Sequence, residues 1–241
     1  MQKALVNFGA ALLAALSSNA CNSASSTQRA EGATPSSAQS ASQSGSKTTT
    51  SGTNDPIVAA ADKGRVAGEA SARTWVVIAS DFQCPFCRQW HSESYKQFVD
   101  EYVRTGKVKV AYINYPLGQH QNAVPTAMAA MCASAQNKFW QYHDALFESQ
   151  ARWQSLPEPR PVLDSIARTV GVDFATWARC VDTEKMRPLV FADRERAAAS
   201  GVQSTPTFII GRRVIAGTMP LNELRPFIDS AIVQSGTGAK Q

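Results

Sequence analysis

The stretch from Thr74 to Asn114 restricts the fold more than any other part of the chain. An apolar run, Thr74-Trp75-Val76-Val77-Ile78-Ala79, passes through Ser80 to Gln83 into Cys84-Pro85-Phe86-Cys87. The run is β-branched and almost continuously apolar, the pattern of a strand buried on both faces. Phe86, Trp90, Tyr95, Phe98, Val99, Tyr102 and Val103 then recur at helical spacing until Gly106, which predicts one helix and its stop. Lys107 to Asn114 alternates, with Val108, Val110 and Tyr112 on one face, as a second strand does. Strand, helix and strand joined by short links make a βαβ unit, so the two strands run parallel. A chain built on such a unit is neither a collagen, nor a coiled coil, nor a polytopic membrane protein.

From Leu117 to about Gly201 the pattern is helical. Asn122 and Pro125 open a helix through Met128, Met131, Cys132 and Ala135, and a second carries Phe139, Tyr142, His143, Leu146 and Phe147 on one stripe. Val162, Ile166 and Val170 mark a third, stopped by Gly171; Asp173 caps a fourth bearing Phe174, Trp177, Cys180 and Val181. A fifth has Pro188 in its first turns and ends at Gly201. Thr207–Ile210 and Arg213–Ala216 then read as a hairpin, and Leu221, Leu224, Phe227, Ile228 and Ile232 as a last helix distorted by Pro226. The expected plan is α/β: β-α-β, a helical insertion at about 117–201, then β-β-α.

Upstream, composition changes abruptly. Residues 22–56 hold no Val, Ile, Leu, Met or aromatic residue but ten Ser and six Thr, too little apolar surface to offset the entropy of ordering. They are expected to form a disordered tether over 21–56, which leaves 57–236 as the folded domain. Before it, Lys3, the apolar stretch Ala4 to Leu16 and Ser18-Asn19-Ala20 follow the order of a secretory signal over 1–20. Its helix would rise only about 20 Å, short of a bilayer core of roughly 30 Å. Cys21, directly after the cleavage site, resembles the lipidated cysteine of bacterial lipoproteins, although Ser18 stands where their signals usually carry Leu. The implied location is exported, periplasmic or cell-envelope, with a possible lipid anchor through Cys21.

A net charge of +5 raises nucleic acid as a partner, but the basic residues are scattered and the longest pure run is Arg212-Arg213. That is not a phosphate-tracking stripe, and no nucleic acid is expected. Cysteine usage is more telling. Setting Cys21 aside, Cys84, Cys87, Cys132 and Cys180 allow three pairings in a compartment where disulfides persist. A Cys84–Cys87 bridge closes a tiny loop and barely restrains the unfolded chain, so it reads as chemistry rather than staple; Cys132 and Cys180 are then left for each other.

If Cys84 is the N-cap, Pro85 takes the first helical position and Cys87 lies one turn on. The Cys84 sulfur then faces unpaired N–H groups and the positive end of the helix dipole, which favour thiolate over thiol. Such a thiolate leaves readily, so its disulfide is a good oxidant. Cys87 is expected to be the more shielded, resolving thiol. A metal site made of Cys84, Cys87 and His91 is the alternative. His91, His120 and His143 otherwise read as structural, with His120 near the site, and Trp90 as a border of it. Thr205-Pro206 stands immediately before a strand, where a cis bond would present the Thr205 backbone to an incoming peptide.

Taken together, the strand before Ser80-Asp81-Phe82-Gln83-Cys84-Pro85-Phe86-Cys87-Arg88, the helix after it, and Thr205-Pro206-Thr207-Phe208 before a hairpin resemble the thioredoxin superfamily. More narrowly they resemble the exported DsbA-like thiol:disulfide oxidoreductases, in which a helical insertion interrupts the thioredoxin fold (βαβ…ββα). Tyr115-Pro116-Leu117 with His120 and Asn122, Phe139-Trp140 with His143-Asp144, and Phe208 to Gly211 extend the match. The resemblance implies Cys84 and Cys87 as the catalytic pair, Pro206 as a cis-proline facing them, and a Cys132–Cys180 structural disulfide. Pro85, Phe86, Thr205 and Pro206 would bind client peptide. Partners would be client proteins with free cysteines and a membrane redox partner; no cofactor or metal is required. Direction stays open between an oxidase and a reductase or isomerase, with a redox-inactive metal-binding chaperone using Cys84 and Cys87 as the other alternative. One departure is Ile78, which stands where many relatives carry a buried acid that relays protons to the second cysteine. Its loss predicts slower resolution by Cys87, or relay through Asp81 or water.

Overall fold

The computed structural model describes residues 55–237. The expected export signal over 1–20, Cys21 and the expected tether up to residue 54 lie outside the described residues. Asp55 and Pro56, read above as the end of the tether, instead open a helix. Asp55 is the N-cap of α1 (Pro56–Gly64) and accepts from the backbone N–H groups of Ile57 and Val58, with proline at the start of the helix as its fixed φ allows.

A five-stranded sheet has the order β1-β3-β2-β4-β5. Its strands are β1 (Val66–Ala67), β2 (Thr74–Ser80), β3 (Val108–Asn114), β4 (Thr207–Ile210) and β5 (Arg213–Ala216). β2 and β3 are parallel from Thr74↔Val108 to Ser80↔Asn114, as the βαβ reading requires. β4 lies antiparallel to β2 on its other side, and β5 pairs with β4 through the expected hairpin. β2 is not uniformly buried, because Trp75 keeps 42% of its surface exposed beneath the Lys109 ammonium. The two-residue β1 edges β3 antiparallel and has no periodicity that sequence reading could detect.

The helix between β2 and β3 departs from the expectation of a regular α-helix. It runs as α2 (Pro85–Trp90), a π turn at His91–Tyr95, α3 (Lys96–Phe98) and a second π turn at Val99–Val103. Each wider turn shifts the side chains that follow relative to an α-helical stripe. Gly106 at φ +71° closes it.

Helices α4 (Ala123–Ser134), α5 (Phe139–Glu148), α6 (Gln150–Trp153), α7 (Arg160–Val170), α8 (Phe174–Asp182) and α9 (Arg187–Ala199) form the insertion between β3 and β4. Gly171 ends α7 in the left-handed region and the Asp173 carboxylate caps α8, both as their sequence signals indicate. The chain closes with α10 (Leu221–Thr237), which carries Pro226 inside it. Among the described residues no helix is long and apolar enough to cross a membrane.

Two large apolar clusters and a small one around Ala79, Ala197 and Val202 follow among the described residues. Of the large ones, one, around Met131, Leu146, Trp153 and Trp177, fills the insertion. The other, around Val76, Val110, Phe208 and Ile228, lies between the sheet, the cysteine-bearing helix and α10. Trp90 belongs to this second cluster, packed on Phe208 and Phe98, so it is core rather than a border of the site. A buried ionic knot fastens the N-terminal segment. Asp193 of α9 accepts from Arg65, from Asn114 Nδ2 at 2.8 Å and from the exposed Arg196 at 2.6 Å, so the buried Asp193 and Arg65 charges are paired where water cannot reach them.

Candidate active site

The site forms where β2 ends beside β4. Asp81 winds the intervening loop: its carboxylate accepts from the N–H of Gln83 at 2.7 Å and of Leu117 at 2.9 Å, and meets His120 Nδ1 at 2.8 Å. This buried acid therefore organises the loop together with His120; burial raises its pKa although these partners pull the other way. Ile78, the position of the absent acid, is buried in the sheet core.

Cys84 is the N-cap of α2 in extended conformation, Pro85 follows at its start, and both sulfurs are unbonded. The Cys84 thiol lies 3.5 Å from the Thr205 carbonyl oxygen, and Thr205–Pro206 is cis. Chain segments 121 residues apart thus meet at one sulfur. Phe86 projects beside them with 59% of its surface exposed, whereas Thr205 and Pro206 are buried.

The two thiols are driven apart electrostatically. The Cys87 thiol stabilises the Cys84 thiolate most; burial opposes it, and Thr205 and the N–H groups of Cys87 and Phe86 add to it. The net result lowers Cys84 from 9.0 to about 6. Burial, then the neighbouring Cys84, push Cys87 well above its ordinary value. The helix start does favour the thiolate, but the adjacent thiol contributes more. Surface exposure is alike, each residue being about 2% exposed, but Cys87 lies deeper and carries the heavier burial penalty, as expected of the shielded partner.

Sequence reading missed Gln150. Fully buried in the short α6, it donates from Nε2 to the carbonyls of Phe82 at 2.7 Å and Cys84 at 3.1 Å, anchoring the loop and N-cap from the insertion. Gln83 and Asn122 complete that link: Gln83 donates to the Gln154 carbonyl at 2.6 Å and accepts from Asn122 N at 2.7 Å. A four-residue helix has no readable period, and Glu148, Ser149, Arg152 and Gln154 around it are polar, so nothing in the sequence marks Gln150 for burial. The metal set of Cys84, Cys87 and His91 is not gathered. His91 instead faces Asp144 at 3.1 Å, and the described residues bring His91, His143 and Asp144 together. Cys132 and Cys180 are joined by a disulfide between α4 and α8, away from this site.

Comparison with known proteins agrees with this architecture. The family model described as Thioredoxin matches residues 60–230. A probable disulfide bond formation protein D of Bacillus anthracis is 26% identical over 146 residues, which cover 59% of this chain and 67% of that protein. Disulfide bond formation protein D of Bacillus subtilis is 23% identical over 169 residues, 69% of this chain and 76% of its own. Among solved structures, oxidised BdbD from Bacillus subtilis superposes with a TM-score of 0.64 at 23% identity, covering 71% of this chain and 94% of that one. Wolbachia pipientis alpha-DsbA1 gives 0.65 at 19% identity over 73% and 94%.

Proposed function

The chain belongs to the thioredoxin family, with a DsbA-like fold, and from that premise we propose that Cys84 and Cys87 exchange disulfides with client proteins in the oxidising direction. Thiol:disulfide oxidoreduction is its activity, in keeping with relatives named for disulfide bond formation. The observation that supports this reading is the pairing of two thiols on one helical turn, Cys84 lowered to about 6 and Cys87 raised, with Cys84 3.5 Å from the Thr205 carbonyl of a cis Thr205–Pro206 bond. A sulfur stable as an anion stabilises the reduced enzyme and leaves readily from its mixed disulfide with a client, so the enzyme disulfide acts as an oxidant.

In the oxidised enzyme a client thiolate attacks Cys84 Sγ. The Cys84–Cys87 bond breaks, a client–Cys84 bond forms, and the Cys87 sulfur leaves with the electron pair and takes a proton. A second client thiolate then attacks the client sulfur of the mixed disulfide and expels Cys84 as thiolate. The client has lost two electrons and the enzyme holds them as a dithiol. A membrane redox partner would accept them and restore the disulfide. Exposed Phe86, with Pro85, Thr205 and Pro206, would form the shallow groove for an extended client segment, the Thr205 carbonyl lying against the reacting sulfur.

The same reading takes residues 1–20 as an export signal, Cys21 as a lipid attachment point, 21–54 as the tether and the remainder as the catalytic domain with its insertion. A tether of about 35 residues, if flexible, would reach some 30 to 35 Å and would hold the domain clear of a membrane surface.

The test is the Cys84–Cys87 reduction potential, with thiol oxidation of a reduced client by wild type and Cys84→Ser. The expected result is a potential well above that of a structural disulfide, and client oxidation that the variant abolishes. A strongly reducing potential, or oxidation that survives Cys84→Ser, overturns the proposal.

A further inference from the structure

The cysteine-bearing helix changes its winding at His91, where the first π turn begins. There His91 Nε2 lies 3.1 Å from Asp144 Oδ1, on α5. His143, the preceding residue of α5, brings Nδ1 to 2.8 Å from the same oxygen. One ligating atom from each of the three residues falls within 4.8 Å of the others. We propose that His91, His143 and Asp144 bind a divalent transition metal ion of the zinc class.

The donor set selects the ion. Two imidazole nitrogens and one carboxylate oxygen suit zinc, cobalt and related ions, whereas calcium and magnesium require oxygen cages. A tetrahedral ion with bonds of about 2.0 to 2.2 Å spaces its ligands about 3.3 to 3.6 Å apart. Small side-chain adjustments from the observed spacing achieve that. The fourth position opens on a cleft of about 680 Å³, lined in part by His91, Asp144 and Glu148. Glu148, one turn beyond Asp144, or a water would fill it.

Charge supports the same reading. Asp144 pairs with the two histidines, and no lysine or arginine pairs with it among the described residues. The cations along the cleft are engaged elsewhere: Lys96 and Arg104 both pair with Asp100, at 2.6 and 2.7 Å. The carboxylate therefore keeps a negative charge that no fixed cation balances. The rings are also held in place. His91 stacks on Phe147 and Tyr95 at 5.0 and 5.1 Å, and His143 packs against Tyr95 and Trp140 at 5.0 and 5.3 Å. This aromatic wall limits water on the inner side and keeps the donors convergent. A bound ion would clamp α5 to the helix carrying the cysteines, and the site depends on neither sulfur.

The experiment uses the untagged full chain with Cys84–Cys87 oxidised and Cys21 alkylated, so that no thiolate competes. Cobalt is titrated while its visible absorption is followed, zinc is then added to displace it, and Tm is recorded with and without zinc. The expected result is one cobalt per chain, displacement by zinc, and a Tm that rises with zinc. Asp144→Asn and His91→Gln, at partly exposed positions, should each weaken binding by about 100-fold while keeping the metal-free circular dichroism of wild type. Failure of the wild type to bind either ion overturns the proposal, and so does binding left unchanged by both variants. If either variant misfolds, the wild-type stoichiometry and zinc-dependent Tm still decide.

Discussion

The two cysteine pairs of the folded domain share a side chain and little else. Cys84 and Cys87 stand at the first turn of a helix, unbonded, one of them beside the Thr205 carbonyl. Cys132 and Cys180 lie within α4 and α8, bonded across 48 residues of sequence. Cys132 is fully buried among the apolar residues of the insertion, in the last turn of α4, where the helix dipole disfavours an anion. The contrast shows that two quantities sort cysteines here: the length of loop a bond closes, and the number of N–H and S–H donors aimed at the sulfur. A long loop makes a restraint on the unfolded chain, and a short one at a helix start makes a reagent.

Substitutions can break or sharpen that contrast. The largest expected effect is that of Cys87→Ser, which removes the resolving thiol. A client that carries a disulfide should accumulate as a mixed disulfide on Cys84, its other sulfur leaving as thiolate, visible on non-reducing gels, while Cys132→Ala/Cys180→Ala traps none; trapping by both would erase the distinction. The double variant should instead lose stability, about 4 kcal/mol on loop-closure grounds for 48 residues, read from denaturant midpoints with exchange activity retained. An unchanged midpoint would show that this bridge restrains nothing.

The pH dependence comes next. Cys84 has a folded pKa depressed from 9.0 to about 6, so its ionisation stabilises the reduced fold. That contribution is complete above the ordinary thiol value and is lost as pH falls through about 6. The reduced protein should therefore gain stability relative to the oxidised one as pH rises across this window. Alkylation of Cys84 should have its midpoint near 6; a midpoint near 9 would make it an ordinary thiol. The smallest effect is that of Thr205→Val, which should raise this midpoint by less than one unit, because the Cys87 thiol and the helix N–H groups remain.

Much of this architecture was legible because it is local. The β-branched run of β2, the alternation of β3, the hairpin spacing and the signals at Gly171 and Asp173 each act over a few residues. Proline after Cys84 likewise announced a helix start without reference to the rest of the chain. Shorter elements escaped notice. β1 and α6 contain too few residues for a period, α1 buries only Val58 and Ala61 and shows little apolar stripe, and with α6 went Gln150, whose amide holds the Cys84 carbonyl from the insertion. The two π turns were equally hidden, since an extra residue per turn is decided by what the helix packs against rather than by its own composition.

By itself, then, the sequence determined the order of the elements and the chemical character of the cysteine pair, because periodicity, capping and loop length are properties of neighbouring residues. Tertiary structure alone decided which distant groups meet. It placed Thr205 against Cys84, Arg65 against Asp193 across 128 residues, and His91 with Asp144 rather than with the sulfurs. Buried polar groups must find partners where water is excluded, and the closed fold settles which partners are within reach.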